Sequence, residues 1–299
     1  MFTQNLRVAL TACLLAAAFS AGAQELTGTL KKIEANKTIT LGHRESSIPF
    51  SYYNDQQQVV GYSHEIMLSV VDAIQRELHL PDLRVKLLPI SSQNRIALIQ
   101  NGTLDLECGS TSNTVERQKQ VAFSNSLFII GPRLLAKKDS GIKDFPDLAG
   151  KTVVTTAGTT SERWLRKMNV EKKMHMRIIS AKDHGESFLT VQTGRAQAFM
   201  LDDVLLYGEL AKAKRPADWI VTGTPPAHEA YGCMLRKGDG AFKKLVDAAI
   251  AGAETSGAAE ALYRKWFLSP IPPKGLNLNF PMSTEVRELF KHPNDRVVD

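Results

Sequence analysis

The groups in this chain that could do chemistry are hydroxyls and guanidiniums set where strand-like runs end. "GHRESSIPFSYY" (42–53) follows "TITL" and carries Arg44. "PISSQNR" (89–95) ends the run "LRVKLL" and carries Ser92 and Arg95, while "GSTSN" (109–113) follows "LDLEC" and leads to Arg117. A fourth segment, "TTAGTTSE" (155–162), closes the first strand of a second series. At a strand end that opens a helix, free backbone N–H groups and hydroxyls favour a carboxylate or phosphate. A guanidinium adds a planar fork that pairs two-pronged with a carboxylate. Helix capping accounts for any one of these segments, and surface solvation for any one arginine. Their recurrence at several strand ends is what points to an anion site.

Other chemistries lack their residues. "AGKT" (149–152) ends like a phosphate-binding loop, but Phe145 holds the earlier glycine position, and the segment precedes a strand where the true loop follows one. The chain has no GxSxG elbow, no GxGxxG and no HExxH, and its seven histidines show no i, i+4 pairing. The cysteines lack a CxxC arrangement. No metal or cofactor is expected.

These segments must be positioned by alternating elements. "KTITLGH" precedes the helical "HEIMLSVVDAIQRELH", and "LRVKLLPI" precedes the helical "SQNRIALIQNG". A second series starts near residue 142, with strands "KTVVTTAG", "MRIISA" and "AQAFMLD" and helices "SERWLRKM", "SFLTVQTG" and "VLLYGELAKAK". The chain then returns through "AYGCMLRKG" to one predicted helix, "FKKLVDAAIAGAETSGAAEALYRKWF", and a proline-rich tail expected to wrap over the surface. This rhythm predicts an α/β fold with largely parallel sheets. Two series with a strand and helix left over predict two lobes, the chain leaving the first near Phe128 and re-entering near Ala230. The expected division is 24–129 and 229–299 for the first lobe and 130–228 for the second, with the ligand in the crevice between them.

Composition is that of a globular chain of 299 residues, 43% hydrophobic and 23% charged. Residues 1–23 read as a secretory signal peptide: Arg7, an apolar run of about a dozen residues, then "AGA" at the cleavage positions. The exported chain is expected to begin near Gln24. "LTAC" (10–13) resembles a lipidation box, but most of the apolar run follows Cys13 instead of preceding it. Without Arg7 the formal charge goes from +6 to +5. That excess is mild and reads as spread out, not as the clustered basic face nucleic-acid binding needs. Cys108 and Cys233 remain, and an even pair in an oxidising compartment suggests one disulfide, with two separately buried thiols the other possibility.

"NGTLDLECGSTSNTVERQKQVAFS", "GRAQAFMLDD" and "AGTTSE" resemble the cleft segments of the amino-acid-binding proteins of bacterial ABC transporters. "GHRESSIPFSYY", "SSQNRI", "MRIISAKDHGESF" and "EAYGCMLRK" narrow the likeness to members that take glutamate and aspartate, over about residues 30 to 297. "GYSHEI" (61–66) departs from the broader family, where an acidic residue commonly follows the aromatic. The resemblance implies a periplasmic-binding-protein type II fold with two hinge strands. It implies a periplasmic, monomeric, non-enzymatic protein that takes L-glutamate or L-aspartate to a membrane permease. Position by position, it implies that Arg117, Ser112 and Thr160 hold the α-carboxylate. Asp202 and Ser110 would accept the α-ammonium, and Arg44, Ser92, Arg95 and His184 would surround the side-chain carboxylate. Three of these residues are arginines and one is an aspartate, a formal +2 against a ligand of −1. That imbalance disfavours a neutral amino acid in a closed cleft.

Overall fold

The computed structural model describes residues 26–298; the expected signal peptide, Cys13 and Gln24 lie outside the described residues. Two separate sheets carry the fold. The first runs in the order Arg84–Pro89, Thr38–His43, Leu106–Glu107, Glu229–Leu235, Ser112–Asn113, and the long strand Ala122–Ile130 also pairs with Glu229–Leu235. The first three of these strands are parallel, while Glu229–Leu235 runs antiparallel to its neighbours. The second sheet has the order Arg177–Ala181, Thr152–Thr156, Ala198–Asp202, Pro132–Lys137, Trp219–Thr222. Its first three strands are parallel and its last two antiparallel.

The chain passes between sheets twice. It leaves the first sheet at Ile130 and enters the second at Pro132, then leaves at Thr222 and returns at Glu229. The two sheets are thus joined by two connections.

Helices follow most strands, as the 3.6-residue periodicity predicts. Tyr62–Glu77 buries Tyr62, Ile66, Met67, Val70, Val71 and Ile74 on one face. Thr160–Glu171 opens on a Thr159 cap whose hydroxyl accepts from the Glu162 N–H, and His184–Gln192 opens on an Asp183 cap. The long C-terminal helix is in fact two, Gly240–Thr255 and Ala258–Phe267. Gly257 separates them in the left-handed region at φ 85°, a conformation that suits glycine and ends a helix. Two helices are not anticipated from the sequence, Gly28–Asn36 and Thr284–Lys291, although the latter buries Val286, Leu289 and Phe290 at helical spacing.

Under the crevice lies an aromatic core. Phe50 meets the Phe128 and Tyr231 rings edge-on, each at 5.1 Å, and Phe128 stacks on Phe267 at 4.9 Å. Cys108, just past the Leu106–Glu107 strand, is bonded to Cys233 on the returning strand, with Cα atoms 4.2 Å apart. That separation is slightly under the usual disulfide range.

Candidate functional site

The parallel strands bring their C-terminal ends together. His43 is level with Pro89 and Gly42 with Glu107 in the first sheet, as Thr156 is with Ala181 in the second. The hydroxyl and guanidinium segments leave from these ends and meet in one crevice.

On the first-lobe side, Arg44 and Arg95 are each 1% exposed. The Arg44 backbone N–H donates to Ser51 Oγ at 3.0 Å, which fixes the turn after the strand. Arg95 Nη1 donates to the Ser110 carbonyl at 3.2 Å and to Thr111 Oγ1, and Thr111 Oγ1 donates in turn to Glu107 Oε2 at 2.8 Å. Ser110 Oγ donates to Ser47 Oγ at 3.2 Å. Arg44 Nη1, Arg95 Nε and Ser92 Oγ are buried without a hydrogen-bond partner. A buried polar group left so costs about 1–3 kcal/mol, more when charged, and each of these atoms lies along the crevice.

On the second-lobe side, His184 Nε2 lies 3.5 Å from Arg44 Nη2 and its Nδ1 lies 2.8 Å from Thr156 Oγ1. A guanidinium only donates, so Nε2 accepts, and the proton sits on Nδ1 and points at Thr156. Thr156 Oγ1 also contacts Ser187 Oγ at 2.9 Å. Asp202 ends its strand with Oδ1 accepting from Ser161 Oγ at 3.0 Å and Oδ2 accepting from the Tyr231 hydroxyl.

Contacts cross the crevice at its other end. Arg117 Nη1 donates to the Ser112 carbonyl at 2.9 Å within its own lobe, and Nη2 donates to the Gly158 carbonyl of the other lobe at 3.1 Å. Ser112 Oγ and Thr160 Oγ1 are 3.4 Å apart across the same gap. A Cβ on Gly158, whose φ is +80°, would stand 2.8 Å from the Ser92 carbonyl carbon. The two lobes touch, main chain to main chain, over the site. A pocket of about 280 Å³ beside Arg44 opens between Ser46, Ser91 and Asn94 of one lobe and Lys182 and Asp183 of the other.

All nine residues expected at the ligand are thus buried and gathered along this crevice. The expected charge of +2 is corrected. Two further carboxylates, Glu107 and Glu229, are buried at 0% and 6% exposure and act electrostatically on the three arginines. With Asp202 they make three carboxylates against three guanidiniums, a formal balance of zero when all are ionised.

Burial dominates the titration. It draws Arg44 down to about 10, with repulsion from Arg95 next, and draws Arg117 down to about 9, again with Arg95 and then Arg163 adding repulsion. Arg95 is lowered by burial as well. Burial, then Arg44 and Arg95, holds His184 well below the usual imidazole range, so it is neutral. Burial and then the Glu229 charge push Asp202 up to about 7.

Four residues of this network were missed: Glu107, Glu229, Tyr231 and Thr111. A signal existed for two of them. Glu107 lies in "LDLEC" and Glu229 opens "EAYGCML", acids inside strands that are otherwise apolar, and every residue of the latter strand is buried. A charge in such a strand must be paired.

Comparison with known proteins agrees with this architecture. The profile of the bacterial extracellular solute-binding proteins, family 3, matches residues 39–269. The chain is 60% identical over 295 residues to the L-glutamate/L-aspartate-binding protein of Pseudomonas aeruginosa, covering 98% of this chain and 97% of that one. It is 60% identical over 278 residues to the glutamate/aspartate import solute-binding protein of Salmonella typhimurium, covering 93% and 92%. Among solved structures it resembles a mutant of ArgBP from T. maritima with a TM-score of 0.71 at 24% identity, over 80% of this chain and 99% of that one. That likeness concerns the fold. By sequence match and by architecture, the chain belongs to the bacterial extracellular solute-binding proteins, family 3.

Proposed function

We propose that the protein captures L-glutamate or L-aspartate between its lobes and delivers it to the membrane permease of an ABC transporter, without catalysis. Names borne by relatives 60% identical over nearly the whole chain support this reading. The observation that carries it is the pair Arg44 and Arg95, both fully buried and each with a guanidinium nitrogen lacking a partner. An acceptor-rich anion satisfies both at once, and a second carboxylate on the ligand supplies it.

The rest of the crevice then divides by chemistry. Arg117 takes the α-carboxylate with Ser112 and Thr160, and Asp202 takes the α-ammonium with Ser110. Arg44, Arg95, Ser92 and His184 enclose the side-chain carboxylate. Neutral His184 accepts from Arg44 and so aims it. Because the ligand touches both lobes, it favours the closed arrangement, and that difference drives hinge closure. The lobes we assign are 24–129 with 229–299, and 130–228, in a chain exported to the periplasm after loss of residues 1–23.

A periplasmic enzyme on the same scaffold would need an acid/base pair over a scissile bond. Asp202 has both oxygens engaged, by Ser161 and Tyr231, and no second carboxylate is proposed to touch the ligand. Calorimetry of ligand-stripped protein against a panel of amino acids is the test. Binding of both acids with weak or absent binding of neutral, aromatic and basic amino acids is the expected result. Tightest binding of a different polar amino acid would replace the ligand, and turnover of any of them would replace the function.

A further inference from the structure

The net positive charge, expected from the sequence to be spread out, is held by one lobe. Residues 130–228 hold 16 Lys and Arg against 11 Asp and Glu, a net +5, whereas residues 24–129 with 229–299 hold 20 against 20. Within the second lobe the excess is concentrated by the sheet. Its register places Thr152 beside Arg177, Val153 beside Ala198, Ala198 beside Ala136 and Lys137 beside Trp219, so five strand ends lie together at one pole. The residues at or next to those ends are Lys137, Lys138, Lys151, Lys172, Lys173, Arg177, Arg195, Lys214 and Arg215. All but half-buried Lys151 are exposed.

Four acids share that pole: Asp139, Asp147, Glu171 and Asp218. Arg215 is ion-paired to Asp218 at 2.9 Å, and Glu171 faces Lys167 at 3.9 Å. Asp147 caps its own turn, accepting from the Lys143 and Asp144 backbone N–H groups. Among the described residues the other eight cations make no ion pair within 4 Å and no side-chain hydrogen bond, although the charge of Lys151 acts on Asp147. Several of these residues donate a backbone N–H to the fold, as Arg177 does to the Lys151 carbonyl, but that bond asks nothing of the side chain, so the repeated choice of a cation is not demanded by the fold.

We infer that this pole is a docking surface for anionic phospholipid headgroups on the membrane beside which the protein works. Its geometry selects that partner. Five strands spaced about 4.8 Å apart spread the charges across roughly 19 Å. They do not converge into a pocket. Six of the nine are lysines, point charges that suit dispersed phosphates better than one bidentate site. A protein partner would call for a packed, partly apolar contact with buried anchors. Here the one large apolar side chain at the end of the Thr160–Glu171 helix is Val170, 77% exposed among the lysines and able to sit between headgroups. Clustered lysines beside an anionic surface are each worth about a fivefold gain in partition. The ligand crevice lies at the opposite ends of the same strands, roughly 16 Å away for a five-residue strand. Docking therefore leaves the mouth and the hinge free.

The test is sedimentation of the purified protein with vesicles of phosphatidylcholine alone and with phosphatidylglycerol added. Binding to the anionic vesicles, lost at high salt as screening shortens, is expected, with little binding to the zwitterionic ones. The triple variant Lys138→Glu, Lys172→Glu and Lys173→Glu should lower anionic partition at least tenfold while leaving glutamate affinity unchanged. Equal binding to both vesicles, or a variant that binds as well as wild type, overturns the inference. If no vesicle binds but the variant slows uptake in cells, the pole contacts the permease and the lipid assignment falls. A second triple variant, Lys151→Glu, Lys214→Glu and Arg215→Glu, keeps the question answerable if the first fails to fold.

Discussion

Thr160 Oγ1 donates to Glu229 Oε2 at 2.7 Å, joining the first turn of a second-lobe helix to the strand that returns to the first lobe. Glu229 Oε1 accepts from Trp164 Nε1 at 3.2 Å, one turn further along the same helix. One buried carboxylate thus pins that helix to the hinge. It also commits the Thr160 proton, so Thr160 would meet a ligand carboxylate with its backbone N–H at the helix start, where the dipole favours an anion.

Glu229→Ala should leave the Thr160 hydroxyl and the Trp164 indole without their acceptor. A cost of about 1–3 kcal/mol in stability is expected. Denaturant unfolding measures it, and a changed Trp164 emission should accompany it. Unaltered stability together with unaltered emission would refute the latch.

Arg117 and Arg44 should separate by ligand. Arg117→Ala should weaken every amino-acid ligand alike, by roughly two to three orders of magnitude, because it faces the carboxylate they share. Arg44→Ala should weaken glutamate and aspartate strongly while changing glutamine and asparagine little. Glutamate should exceed glutamine by about 30- to 1000-fold in the unaltered protein, since an amide brings donors towards donor-only groups. Calorimetry of both variants with all four ligands decides it, and an Arg44→Ala protein with unchanged preference would end the assignment.

Affinity should depend on pH through Asp202. Burial and Glu229 raise it to about 7, so near neutrality it is partly protonated and cannot pair with an ammonium. The ligand stabilises the ionised form, and protons are released on binding below that value. Affinity should therefore be full above about pH 7.5 and fall by up to about tenfold per unit below 7. His184, held neutral, adds no opposing step. Glu229→Gln removes a charge that raises Asp202, so the midpoint should move to lower pH. Asp202→Asn should bind weakly with a flat profile, and a wild-type curve flat from pH 5 to 8 would exclude the role.

Gly158→Ala should act on closure. The added methyl would press on the Ser92 backbone at 2.8 Å, and alanine resists φ +80°. An at least tenfold loss of glutamate affinity is expected, with a larger radius of gyration by small-angle scattering in saturating ligand. Wild-type compaction would show that the lobes do not need this contact.

The Cys108–Cys233 bond spans 125 residues and ties the return strand to the first lobe. Replacing both by serine should cost about 2–5 kcal/mol. Thiol titration of unreduced, unfolded protein from Gln24 onward should detect no free cysteine.

Much of this protein was legible in its sequence because its signals are local. Alternating apolar runs mark the strands, the 3.6-residue period marks Tyr62–Glu77, and Arg44, Arg95 and Arg117 stand out at strand ends where a guanidinium has no packing purpose. The cleft segments carry their chemistry within a dozen residues each, so a resemblance could be read from them one at a time. What the sequence left undecided depends on neighbours distant along the chain. The break at Gly257 needed a backbone angle. Whether Cys108 and Cys233 are bonded depended on which strands lie side by side. The site's charge could be counted only once Glu107 and Glu229 were seen buried among the arginines, since an acid in an apolar strand must be paired but the strand does not say with which residue. Which hydroxyl gives its proton to which oxygen, as Thr160 does to Glu229, exists only once two lobes have met, because a hydrogen bond's direction belongs to the pair and not to either residue.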